Sequence, residues 1–193
     1  MLKNLLFIVL VLFVPSCKNA TTTKVNMANN TIEEAVKALS TFEMQAQFLE
    51  GIGEADQRVR NDETKVITAY GYGSDQHNSS REEMKAVDKM NLEKIEKYLE
   101  IHGYPVLRDQ GRIAVDVPWT VIQHAGSIEA MRRNFNHIYK AHSEDYQLRD
   151  IAITSYLNRM YQLEFGEPMV WDRPFKLKEE LDTLMGALNL ETF

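Results

Sequence analysis

A single cysteine, Cys17, is all the thiol chemistry in this sequence, so no disulfide can form within the chain. Long apolar runs are missing as well. The longest is the ten residues from Leu5 to Val14, about half of the roughly 20 residues that a helix needs to cross a hydrocarbon core. A transmembrane helix is therefore not expected. Basic residues are outnumbered, 22 Lys and Arg against 28 Asp and Glu. Such a chain gains little from neutralising phosphates, so nucleic acid is not an expected partner, and no basic patch for anionic lipid is expected either.

Several chemical signatures are also absent. There is no His-Glu-x-x-His, and His137 and His142 are five residues apart, which points them to different sides of a helix. No metal or cofactor is expected on these grounds. Gly71-Tyr72-Gly73-Ser74 lacks both the lysine of a phosphate-binding loop and the Gly-x-Ser-x-Gly of a hydrolase nucleophile.

What is present begins at the N-terminus. Lys3 precedes the apolar run, and Pro15, Ser16 and Cys17 follow it, in the order of a secretory signal. The cysteine directly after Val14-Pro15-Ser16 resembles a bacterial lipobox, in which the cysteine is lipidated and becomes the mature N-terminus. The alternative is ordinary cleavage that leaves a free thiol. The sequence thus divides into a signal peptide over 1–16, a lipidated cysteine with a polar, Thr- and Asn-rich tether over 17–30, and a folded domain over 31–193. Several acyl chains on Cys17 would hold the protein to a membrane durably. The expected location is the bacterial cell envelope, on the periplasmic side of the outer membrane. Loss of residues 1–16 removes one base and no acid, so the net charge moves from −6 to −7.

The domain reads as all-α, a single compact unit of five or six helices. Thr31 with Glu34 forms a capping box, and Ile32, Ala35, Leu39, Phe42, Ala46 and Leu49 follow at helical spacing into the low fifties or further, with continuation through Asp56-Gln57-Arg58 despite Gly51 and Gly53. Ala69 to Ser80 reads as a loop, with Lys65 to Tyr70 as a possible short strand. Ser80 and Glu83 open a helix that stops at His102-Gly103-Tyr104-Pro105. A third helix is expected over Ile113 to Ala125, starting or kinking near Pro118. Ser127 caps a fourth through about Ala141, Glu144-Asp145 opens a fifth through about Leu163, and the last runs from Phe175 to near Leu190.

Polar residues on apolar stripes are the candidates for function. Asn91 lies four residues from both Val87 and Ile95, and Asp88 borders the same stripe. His124 follows Val117 and Val121 at helical spacing, beside Gln123. Arg159 lies four residues after Ser155 and seven after Ala152. Buried polar groups need partners, so Asp88, Asn91, Gln123, His124 and Arg159 are expected to share a pocket. Any catalysis would be acid–base chemistry at His124 with a carboxylate such as Asp88.

At these residues the sequence resembles a widespread bacterial family catalogued only as a domain of unknown function. The resemblance rests on Asp56-Gln57-Arg58, Asp88-x-x-Asn91, His102-Gly103-x-Pro105, Gly111 with Ala114, and Gln123-His124-Ala125, in that order, over about residues 50 to 165. It departs where the family has Asp after Gln-His-Ala and this chain has Gly126. It departs again at Asn158-Arg159, where the family often has Asp-Arg, and at Met169-Val170-Trp171-Asp172-Arg173, where the family tends to Gln-x-Tyr-Gly-Thr. The resemblance implies a fold and a pocket but no reaction.

Two function classes follow. One is a membrane-tethered binding module whose pocket holds a small ligand or a segment of an envelope protein. The other is a hydrolase-like envelope enzyme with His124 as general base, oriented by Asp88 or Asn91.

Overall fold

Thr41 sets the start of the longest helix: its hydroxyl accepts from the Met44 amide at 3.2 Å, satisfying one of the free N–H groups of the first turn. The structure, a computed structural model, describes residues 31–169 and 177–190. The signal, Cys17, the tether, and the stretch Val170–Arg173 all lie outside the described residues.

Seven helices occur among the described residues: α1 (31–37), α2 (Phe42–Tyr70), α3 (Asp75–His102), α4 (Leu107–His124), α5 (Ile128–Ser143), α6 (Asp150–Phe165) and α7 (Leu177–Ala187). There is no strand among them, and the fold is all-helical. No helix of the described residues is long and apolar enough to cross a membrane.

The boundaries depart from the expected ones in five places. The first expected helix is two, because Thr41 caps afresh after a break at 38–41. Gly51 and Gly53 do not end the second, which runs on to Tyr70, so Lys65 to Tyr70 is helix and not strand. The loop is only 71–74. Ser74, rather than Ser80, caps α3, its hydroxyl accepting from the His77 amide at 3.2 Å and donating to the Gly71 carbonyl at 2.9 Å. The break in α4 falls at Gly111 (φ 83°, ψ 167°), a conformation that suits glycine, while Pro118 sits within the continuous part. Glu144 ends α5 and does not open α6, which starts at Asp150. Ser127 does cap α5, accepting from Ala130.

Packing follows the apolar stripes. Leu49 and Ile52 of α2, Ile95 and Leu99 of α3, and Val115 and Ile122 of α4 are all buried in one core, each side chain contributing about 1.5–3 kcal/mol on burial. α2 packs against α3 and α4, and α4 links that layer to α5 and α6. Gly53 allows the close approach of α2 to α4: a Cβ there would meet Val117 Cγ2 at 2.8 Å. α7 packs against α6, and Leu184 within it and Leu188 just after it are buried in the core.

Candidate functional site

The stripe Leu49–Ile52–Asp56–Val59 carries α2 into the core, and Asp56 on it is only 1% exposed. A buried carboxylate survives only with strong partners. Asp56 has three. Gln57 Nε2 donates to Oδ2 at 2.9 Å, Arg60 Nη2 donates to Oδ1 at 3.0 Å, and His124 Nδ1 lies 3.0 and 3.1 Å from the two oxygens. Helical spacing places Arg60 one turn beyond Asp56, and α4 delivers His124 from across the bundle.

Arg60 extends the cluster to α3. Its Nη2 donates to Asp88 Oδ1 at 2.7 Å, and its Nη1 lies 3.3 Å from Met84 Sδ. One guanidinium thus bridges two carboxylates. Its Nε–H points between Asp56 Oδ2, at 3.3 Å, and His124 Nδ1, at 3.0 Å.

The two carboxylates are pushed in opposite directions. Burial works to raise Asp56, but hydrogen bonds from His124 and Arg60 outweigh it and hold the carboxyl below its ordinary value. Burial lifts Asp88 above its ordinary value; the neighbouring charge of Asp56 adds to this, and Arg60 offsets only part. Asp56 is therefore the firm anion facing the ring. Its charge favours the tautomer in which Nδ1 carries the proton and donates to Asp56, the Arg60 Nε–H then resting on Asp56 Oδ2 and not on Nδ1. The ring nitrogen Nε2 remains an acceptor with no hydrogen bond among the described residues.

His124 lines a cavity of about 570 Å³ together with Arg60 and Met84, Asp88, Gln123, Pro168 and four α6 residues, Ser155, Asn158, Arg159 and Gln162. That volume accommodates a small molecule. Asn158 is tied down, its Nδ2 donating to the Thr154 carbonyl at 3.0 Å and to Glu180 of α7 at 3.1 Å. Arg159 Nη1 donates to Gln162 Oε1 at 2.7 Å.

Of the residues expected to share a pocket, the structure brings Asp88, Gln123, His124 and Arg159 to one cavity wall. Asp88 reaches His124 through Arg60, and Arg159 faces the same space from α6 without bonding to either. Asn91 is placed elsewhere. It is 2% exposed, its Nδ2 has no partner among the described residues, and it does not line the cavity. The partner that orients His124 is Asp56, and neither Asp88 nor Asn91 bonds to the ring.

Asp56 and Arg60 are the functional candidates that sequence reasoning passed over. Asp56 carried the same signal as Asn91, a polar residue at helical spacing on an apolar stripe, and Arg60 follows it by one turn. Among the described residues, no group of three or more His, Cys, Asp or Glu could hold a metal ion.

A second cavity, about 450 Å³, lies between α2 and α4, lined by residues such as Gly53, Val117 and Val121 with Glu50, Glu54 and Asp116 at its rim. Asp56 contributes to its wall too. Comparison with protein-family models, curated proteins and solved structures yields no match to this chain.

Proposed function

We propose that this protein is a bacterial envelope lipoprotein, held to the membrane through a lipid on Cys17, whose helical domain binds a small polar ligand in the cavity beside His124. The observation that carries the binding reading is the hydrogen bond from His124 Nδ1 to the buried Asp56. It locks the ring and leaves Nε2 as a fixed acceptor at the wall of a small-molecule-sized cavity. The short apolar run before a lone cysteine supports the anchor, and the resemblance to a bacterial family of unknown function supports a shared pocket.

The test is to purify the full chain from a membrane fraction, denature it, and identify small molecules released. The wild-type protein should release a compound at near-stoichiometric yield, and His124→Gln should release none. Equal release from both would sink the binding reading. Labelling cells with a tagged fatty acid should mark the wild-type chain and leave Cys17→Ser unmarked; equal labelling would sink the anchor.

The same hydrogen bond favours a second reading, an envelope hydrolase in which His124 is a general base oriented by Asp56. A carboxylate behind the imidazole is the usual device for that role. Ser155 shares the cavity, but its hydroxyl makes no hydrogen bond to His124, so the pair is not arranged as an activated nucleophile. Binding therefore ranks first.

A further inference from the structure

We infer that the ligand carries an anionic group, a carboxylate or a phosphate, and that Arg159 receives it; this rests on the cavity being a binding site. The argument is one of charge pairing. Two guanidinium groups line the cavity. Arg60 is fully committed, bridging Asp56 and Asp88. Arg159 is not: it donates to the amide oxygen of Gln162 and has no carboxylate partner among the described residues.

A guanidinium keeps its charge at any physiological pH and presents its five donors as a planar fork that matches carboxylate and phosphate. Only one of those donors is engaged among the described residues. α6 sets the Ser155 hydroxyl on the same wall. Among the described residues, the α6 side of the cavity is therefore a donor surface with one positive charge that no carboxylate pairs.

The opposite side is an acceptor surface. His124 offers Nε2. Asp88 commits Oδ1 to Arg60 at 2.7 Å, while its Oδ2 makes no hydrogen bond among the described residues. An occupant that satisfies both sides has an anionic group at one end and a hydroxyl or amine at the other. Small hydroxy or amino acids and phosphomonoesters of small alcohols fit that description. A neutral polyol satisfies only the acceptor side and leaves the charge of Arg159 unpaired.

The experiment uses the full chain in detergent micelles, with isotope-labelled histidine, and follows the ring resonance of His124 by NMR, identified by its loss in His124→Gln. The probes are glycolate, glycerol 3-phosphate and glycerol. Glycolate or glycerol 3-phosphate should shift the resonance saturably, and whichever does so distinguishes a carboxylate from a phosphate site. Glycerol at the same concentration should not.

Arg159→Gln should weaken the responding anion at least tenfold, and Arg108→Gln, on an 89% exposed side chain away from the cavity, should change it less than twofold. Arg159→Lys, which keeps the charge and loses the fork, should fall between, and it serves if Arg159→Gln loses its helical circular dichroism. Saturation by neither anion overturns the inference, as does a loss below tenfold in Arg159→Gln. Saturation by glycerol alone also overturns it, while leaving the cavity standing as a binding site.

Discussion

Two polar clusters lie inside this helical bundle, and they are built on opposite plans. One joins Gln45, Tyr98, His102 and Gln110. Gln110 Nε2 donates to Gln45 Oε1 at 2.9 Å and to the Tyr98 hydroxyl at 2.6 Å, while its Oε1 accepts from the Val106 amide at 2.6 Å. Gln45 Nε2 donates to the Leu39 carbonyl at 3.2 Å and to His102 Nδ1 at 3.3 Å, and His102 Nε2 donates to the Val36 carbonyl at 2.9 Å. It holds no carboxylate and no guanidinium, and its donors run out to the backbone carbonyls of Leu39 and Val36. Burial pushes the Tyr98 phenol up to about 12, so it does not ionise in any ordinary medium.

The other cluster, Asp56, Arg60, Asp88 and His124, is charged, and it opens onto a cavity with acceptors left over. The first plan ties α1, the 38–41 break, α2, α3 and α4 into one frame. The second holds unspent hydrogen-bonding capacity against that frame. Saturation marks the scaffold, and the unspent remainder marks the candidate site.

The comparison can be broken most forcefully at Arg60. Arg60→Met leaves two carboxylates without their shared cation, and should cost about 3 kcal/mol or more in urea unfolding. A loss under about 1 kcal/mol would class the cluster with solvent-screened surface pairs. Gln110→Ala should cost about 1–3 kcal/mol, because the Val106 amide loses its acceptor while Gln45 and the Tyr98 hydroxyl lose a shared donor. His124→Ala should cost under about 1 kcal/mol, since Asp56 keeps Gln57 and Arg60. If His124→Ala proved as costly as Gln110→Ala, the two clusters would share one structural role.

The finest distinction is in pH. Asp56 ionises more readily folded than unfolded, so its stabilisation is complete above the ordinary carboxylate value of about 4 and is lost as pH falls through its lower folded value. Asp88 works the other way: its raised value makes it a cost when ionised, relieved as protonation sets in. Unfolding measured from about pH 7 to about pH 3 should show a shallower acid limb for Asp56→Asn and a steeper one for Asp88→Asn. Identical slopes in all three proteins would mean that the pair does not respond to acid as its surroundings imply.

The all-helical class was legible because the stripes Leu49–Ile52 and Ile95–Leu99 repeat at helical spacing, and spacing survives whatever the tertiary context. Boundaries were less legible. Ser80 with Glu83 matches the capping-box pattern and Ser74, followed by His77, does not, yet Ser74 caps because α2 runs its full length and leaves the Gly71 carbonyl beside its hydroxyl. Continuation of that helix through Asp56-Gln57-Arg58 was legible despite Gly51 and Gly53, but the role of Asp56 and Arg60 was not, because their partners come from α3 and α4. Asp88, Gln123, His124 and Arg159 were found because polar residues on apolar stripes are visible one helix at a time. Which of them bond was not legible, since the bridge through Arg60 depends on three helices meeting. Asn91 shows the limit of the same signal: it sits on its stripe, buried, and off the cavity wall.

Gly53 lies one turn before Asp56, and Val117 lies two turns before His124, so the contact between them acts as the fulcrum for the hydrogen bond above it. The span between carboxylate and imidazole is therefore governed by a missing methyl group. Gly53→Ala would make Val117 rotate or the helices part, and a spread of a few tenths of an ångström at that fulcrum reaches the Asp56–His124 pair at 3.0 Å. The change alters neither hydrogen-bonding partner. It turns interhelical spacing into an adjustable dial on the site, one that can detune the imidazole while every polar residue stays in place.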